Sequence, residues 1–162
     1  MLAYIGIGSN LGDKRSNCEQ AVERIGRIRG CTLGQRSPWF LTRPVGVEGQ
    51  DWYLNGVASL EAEISAHDLL ARLLEIESVM GRVRTEKWEP RIIDLDLLLF
   101  GDQIISDQDL QVPHPLMHAR RFVLVPMVHL APQLVHPVLR RTMAELLNSL
   151  EGEGQDVMAL EG

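Results

Sequence analysis

The sequence predicts an α+β fold, a ferredoxin-like βαββαβ core with an added β-hairpin and C-terminal helices. Three observations predict it. The apolar period switches between strand and helix in the order strand, helix, strand, strand, helix, strand. One segment, YLNGVASLEAEI at 53–64, alternates along its whole length. The chain from VPHP onward is punctuated by prolines 113, 115, 126, 132 and 137, which suits short helices.

Each element has its own local reason. LAYIGIG is apolar enough for a buried first strand, and the turn formers of GSNLGD stop it. The glycines in GIGSNLG at 6–12 are expected to be turn residues. Cys18, Ala21, Val22, Ile25 and Ile28 recur at helical spacing, which predicts a helix from about Lys14 to Ile28. A second strand is expected over Thr32–Ser37. TRPVGVEGQDW then has Gly and Pro but no apolar period, as in a long loop that moves over a site.

In the alternating strand, Leu54, Gly56, Ala58, Leu60, Ala62 and Ile64 face one way. Tyr53, Asn55, Val57 and Ser59 face the other. SAHD at 65–68 resembles a capping box, LLARLLEIESVM continues it as an amphipathic helix, and Gly81 ends it. RVRTEKWEP is a second irregular, charged loop. RIIDLDLLLF is the next strand, and Gly101-Asp102 is expected to turn it back into QIIS as a hairpin.

Bulk properties narrow the function classes. The 162 residues, 45% hydrophobic and 23% charged, suit a single domain over 1–162, with EGEGQDVMALEG at 151–162 as a partly loose acidic tail. A net charge of −6 argues against a general binder of nucleic acid or anionic membrane. Cys18 and Cys31 make neither a disulfide framework nor a zinc site, so reduced thiols are expected. The N-terminus has no basic, long apolar leader, and no apolar run reaches a membrane span. A cytoplasmic monomer is the default expectation.

The strand at 91–100 holds the chemical signal. Ile93, Leu95, Leu97 and Leu99 are expected on its core face, and Asp94 and Asp96 side by side on the other. Two adjacent carboxylates repel and need compensation. Alternation alone also fits two solvated acids. The flanks favour more, because Arg82, Arg84, Lys87 and Arg91 precede the pair and Pro113-His114 follows it. Acids for a divalent cation beside arginines for phosphate suggest a nucleoside triphosphate site. No Walker motif is present, and GxGxxxG at 6–12 is not the dinucleotide spacing.

The stretch WEPRIIDLDLLLF resembles the 6-hydroxymethyl-7,8-dihydropterin pyrophosphokinase family of folate biosynthesis, whose signature is P-R-x-x-D-L-D followed by aliphatics. AYIGIGSNLGD, YLNGVASLE, GRVR at 81–84, LLLFGDQII and VPHPLMHARRFVL resemble the family in order along nearly the whole chain. The resemblance implies diphosphate transfer from MgATP to the pterin hydroxymethyl group, with release of AMP.

It also implies roles. Asp94 and Asp96 are similar to the pair that holds two Mg²⁺ ions. Arg82 and Arg91 resemble loop arginines on the phosphates, His114 the histidine near the α-phosphate, and Trp88 the loop aromatic that closes over the site. Glu77, Arg84, Leu97 and Arg120 resemble further ATP-side positions. Thr42, Val45, Gly46, Tyr53, Asn55, Asp94 and Phe122 resemble the pterin side. Aromatic faces and an amide suit a flat heteroaromatic ring. Three residues depart from the pattern. Glu89 replaces a small residue, Thr85 a frequent base, and Asp109 an expected arginine. His67, His118, His129 and His136 match no role.

Two rival readings differ in class. Another Mg-dependent nucleotide phosphohydrolase or phosphotransferase would share the aspartates without an aromatic pterin slot. An RNA-recognition domain would share the scaffold, but few aromatics and an acidic balance count against it.

Overall fold

Side chains of β1 (Leu2–Ser9) alternate between two dry environments, Ala3, Ile5 and Ile7 entering one core and Tyr4 the other. A strand buried on both faces needs a layer above and a layer below it. The structure, a computed structural model, describes residues 1–42, 52–81, 92–150 and 157–159. The helix α1 (Lys14–Gly26) follows β1, and the Asp13 carboxylate caps it by accepting from the Ser16 amide at 3.1 Å. Cys18, Ala21, Val22 and Ile25 form its buried stripe, as the spacing predicts, although the helix ends before Ile28.

After α1 come β2 (Cys31–Arg36), β3 (Phe40–Thr42) and β4 (Tyr53–Ala62). Ser65 caps α2 (Ala66–Val79) by accepting from the Asp68 amide, and Gly81 ends it at φ 90°. Then come β5 (Asp94–Phe100), β6 (Ile105–Ser106) and β7 (Gln111–Val112). A 3-10 turn at Met117–Ala119 leads into α3 (Arg121–Leu130) and α4 (Met143–Ser149), and β8 (Val157–Ala159) ends the described chain.

The main sheet runs β5-β1-β4-β3-β8, with β2 also paired to β4 and every pairing antiparallel. Within it, β2-β4-β1-β5 is the ferredoxin-like order that the element sequence predicts. Helices α1 and α2 cover one face with Cys18, Ala21, Val22, Ile25, Leu69, Leu73 and Ile76. Helices α3 and α4 cover the other with Val123, Leu124, Met127, Met143 and Leu146.

Several expectations are corrected. Leu99 does not share a core with Leu97. Tyr4 pairs with Leu99 and Ile5 with Leu97, so β5 bulges at Leu98. Ile93, Leu95, Leu97 and Phe100 therefore enter the α1/α2 core, while Leu98 and Leu99 enter the α3/α4 core. The expected hairpin exists in a different pairing. Gly101 does not fold β5 onto QIIS; instead β6 pairs with β7 as a separate ribbon. Asp107 closes that ribbon by accepting from the Asp109 and Leu110 amides.

Pro126 does not break α3. It lies inside the helix and is buried, and that packing offsets the missing backbone bond. Two strands lacked a periodic signal, because three residues are too few to show one. They are β3, which pairs with β4, and β8, which lies in the tail expected to be loose and pairs with β3.

Candidate active site

One cross-strand row organises the site. Gly8 on β1 stands opposite Asn55 on β4 and opposite Asp94 on β5. The next row is Val57, Gly6 and Asp96. Directly opposed residues project to the same face, so Asn55, Asp94 and Asp96 share the face toward α3. Val57 and Leu98 belong to the α3/α4 core on that face, so the acids stand at the rim of this core.

Gly6 and Gly8 are therefore strand residues, not the turn residues expected. The left-handed glycine of the motif is Gly12, at φ 72°. Asn55 folds across Gly8, and a Cβ at Gly8 would meet its Oδ1 at 2.6 Å. Alternate glycines in LAYIGIGS were the sequence signal for this smooth strip, since a glycine inside a strand marks close approach.

The polar end of this strip is preorganised. The buried Asn55 donates through Nδ2 to the Thr42 hydroxyl at 3.0 Å. Thr42 and Tyr53 are themselves a cross-strand pair. Three residues expected on the pterin side thus come together where β3 meets β4.

At the other edge of the sheet, Asp94 and Asp96 are both partly buried. Same-face neighbours on a strand stand roughly 7 Å apart, close enough for two carboxylates to share cations. The strand is fixed from behind. Glu77 on α2 is buried, and its Oε2 accepts from the Leu95 amide at 2.8 Å. Leu95 is the residue between the two aspartates, so this bond sets the phase in which they face the site. Leu97, expected along the nucleotide, sends its side chain into the α1/α2 core, on the face away from the aspartates.

His114 enters from the segment after β7. Its amide donates to the Leu98 carbonyl at 2.9 Å, and its Nδ1 accepts from the Leu116 amide at 3.2 Å. The ring proton of the neutral form is thereby placed on Nε2. Burial, then the Arg120 charge, holds this imidazole below its ordinary value of 6.5, while Asp94 pulls it the other way. Arg120 and Asp94 are thus near enough to act on the ring. The Arg120 guanidinium also lies over the Phe122 ring, 5.5 Å from its centroid.

The structure therefore links Asp94 to His114, His114 to Arg120 and Arg120 to Phe122, with Asp96 beside Asp94 on β5, and it brings Thr42, Tyr53 and Asn55 together at the end of β4. Arg82, Arg84, Trp88, Arg91, Val45 and Gly46 lie outside the described residues, as do Thr85 and Glu89. Asp109 is exposed in the turn of the β6–β7 ribbon. Among the described residues no group of three or more His, Cys, Asp or Glu forms a metal cage. The donor set present, two carboxylates on an open face, fits Mg²⁺, which completes its shell with phosphate oxygens and water.

Comparison with known proteins gives the family and the fold. The profile of the family described as 7,8-dihydro-6-hydroxymethylpterin-pyrophosphokinase (HPPK) matches residues 4–132. A 2-amino-4-hydroxy-6-hydroxymethyldihydropteridine pyrophosphokinase of Methylorubrum extorquens is 40% identical over 152 residues, covering 94% of this chain and 95% of that protein. The protein of the same name from Pseudomonas aeruginosa is 41% identical over 151 residues, covering 93% of each. Among solved structures, a wild-type HPPK-DHPS of Plasmodium falciparum superposes with a TM-score of 0.73 at 13% identity. The match covers 91% of this chain and 42% of that longer one, and shows the shared fold. On the profile and the identities together, the chain belongs to the 7,8-dihydro-6-hydroxymethylpterin-pyrophosphokinase family.

Proposed function

We propose that the chain transfers diphosphate from MgATP to the hydroxymethyl oxygen of 6-hydroxymethyl-7,8-dihydropterin, a step of tetrahydrofolate biosynthesis. The family supports the reaction. The observation that carries its placement is the row Asn55–Gly8–Asp94. It sets an amide suited to a flat heterocycle and a carboxylate suited to a cation on one face, with only a glycine between them.

In this reading the pterin lies along the Gly8 strip. Asn55 bonds its edge, with Thr42 holding the amide in orientation, and Tyr53 and Phe122 supply aromatic surface. The hydroxymethyl oxygen attacks the β-phosphorus of ATP. The bond from that phosphorus to the oxygen bridging to the α-phosphorus breaks, AMP leaves, and the hydroxyl proton is released to solvent. Two Mg²⁺ ions held by Asp94 and Asp96 would neutralise charge on the triphosphate and polarise the attacking oxygen. His114, kept neutral, offers its Nε2–H to the phosphate chain, and Arg120 adds a fixed positive charge. Glu77 acts through the Leu95 amide. Arg82, Arg84 and Arg91 are assigned to the phosphates, Trp88 to closure over the nucleotide, and Val45 and Gly46 to the pterin-side loop, on the sequence match. Leu97 is assigned to the nucleotide side on the same sequence match.

A cytoplasmic monomer completes the proposal. The buried Cys18 and partly buried Cys31 are both free thiols, which suits a reducing compartment. Among the described residues no helix is long and apolar enough to cross a membrane.

The test is a product assay with purified chain, MgATP and 6-hydroxymethyl-7,8-dihydropterin. The expected outcome is AMP formed only with pterin present, matched by pterin diphosphate. ADP and phosphate, or AMP without pterin, would instead support a nucleotide hydrolase on the same aspartates.

A further inference from the structure

The strand β3 is three residues long. A strand this short, tied along one edge, has little pairing to hold it and frays easily. Yet it carries Thr42, only 3% exposed, whose hydroxyl holds the Asn55 amide. Its second edge is taken by β8, giving the rows Tyr53–Thr42–Val157, Leu54–Leu41–Met158 and Asn55–Phe40–Ala159. Every β3 residue is thus paired on both sides. Phe40 is braced again from above, edge-on to the His129 ring of α3 at 6.4 Å between centroids.

We propose that β8 is a positioning strand for the pterin side of the site: by pairing along β3 it keeps Thr42 on Asn55. The inference rests on the assignment of Thr42 and Asn55 to the pterin. Apparent affinity scales with the fraction of molecules in the binding-competent arrangement. Loosening β3 lowers that fraction for the pterin alone. The aspartates lie on β5 at the opposite edge of the same sheet, with β1, β4 and β3 between them and β8. Nucleotide binding is therefore insulated from β8.

The test is the full-length double variant V157P/M158P. Successive residues of a strand point their N–H groups to opposite edges, so one of two adjacent prolines removes a β3–β8 bond in either phase. The expected result is faster hydrogen exchange at amides 40–42 and a KM for pterin raised roughly tenfold, the factor for a competent fraction cut to a tenth. The KM for ATP stays within about twofold, which also shows that the variant is folded. V157I, which keeps the strand, behaves as wild type. Unchanged exchange at 40–42 overturns the inference, because β8 then does not hold β3. Faster exchange with an unchanged pterin KM, or equal losses for pterin and ATP, overturns it as well. If the wild type makes no pterin diphosphate, the proposed reaction fails instead, and the exchange measurement still decides whether β8 holds β3.

Discussion

Asn55 lies across Gly8 so closely that a Cβ on the glycine would stand 2.6 Å from its Oδ1. An alanine there must displace Asn55, and with it the bond to Thr42. G8A is expected to raise the KM for pterin at least tenfold and to cost about 1–3 kcal/mol of stability, the usual range for overpacking. G6A is the control. Its Cβ would meet Leu98 and Asp96 at 3.6–3.7 Å, ordinary contact, so activity within about threefold of wild type is expected. Steady-state kinetics with each substrate varied in turn checks both. Equal effects of the two alanines would contradict the role given to Gly8.

The aspartates are on the rim of the core and not in it, so chemistry and folding should separate. D94A and D96A are each expected to lower kcat by about a thousandfold or more, the equivalent of roughly 4 kcal/mol of charge stabilisation. Unfolding free energy should change by less than about 1 kcal/mol, as for residues outside a packed core. Turnover near wild type in either variant would remove that residue from the metal site.

Glu77 offers a test of a positioning residue. E77L takes away the acceptor of the buried Leu95 amide and is expected to cost about 1–3 kcal/mol, measured by urea unfolding. E77Q retains an oxygen for that amide and should lose clearly less. Turnover should follow the same order, because the bond fixes how Asp94 and Asp96 face. An E77Q variant as damaged as E77L would mean that the carboxylate charge, and not the bond, is what matters.

Two histidines set an acid limit. Burial first, then the neighbouring Arg120 for His114 and His118 for His136, lowers both below the ordinary value of 6.5. Each is therefore neutral in the fold while the unfolded chain takes up a proton. Stability from this source is complete above pH 6.5 and falls as pH drops below it, until the folded pKa is reached. Chemical denaturation at a series of pH values should show this decline. H136N should remove the His136 share of it and leave the His114 share. Asparagine can still accept from the Val138 and Leu139 amides, as the His136 Nδ1 does, but does not titrate there.

Long periodic segments were legible from the sequence. YLNGVASLEAEI gave both faces of β4 correctly, because a central strand keeps strict alternation. Asp94 and Asp96 were legible as a same-face pair, because they precede the bulge. Leu99 was misplaced because a bulge leaves no mark in a run of leucines. The glycines of β1 look like turn formers when counted, and like a smooth strip only when their alternation with Tyr4 is noticed. β3 is held by β4 and β8, and β8 by β3, long-range pairings that three-residue segments cannot announce. His136 matched no family role, yet its ring organises a turn through two backbone amides, a use that shows only in three dimensions.

The bulge at Leu98 changes what a deletion would do to β5. In a regular strand, losing one residue sends every later side chain to the wrong face. Here, removing Leu98 would leave Leu99 opposite Tyr4 and Phe100 opposite Ala3, with Asp94 and Asp96 still beside Gly8 and Gly6. Both cores would keep their remaining leucines. The loss would fall on the Leu98 carbonyl, the acceptor for the His114 amide. The sheet could spare this residue. The attachment of His114 to the aspartate strand could not.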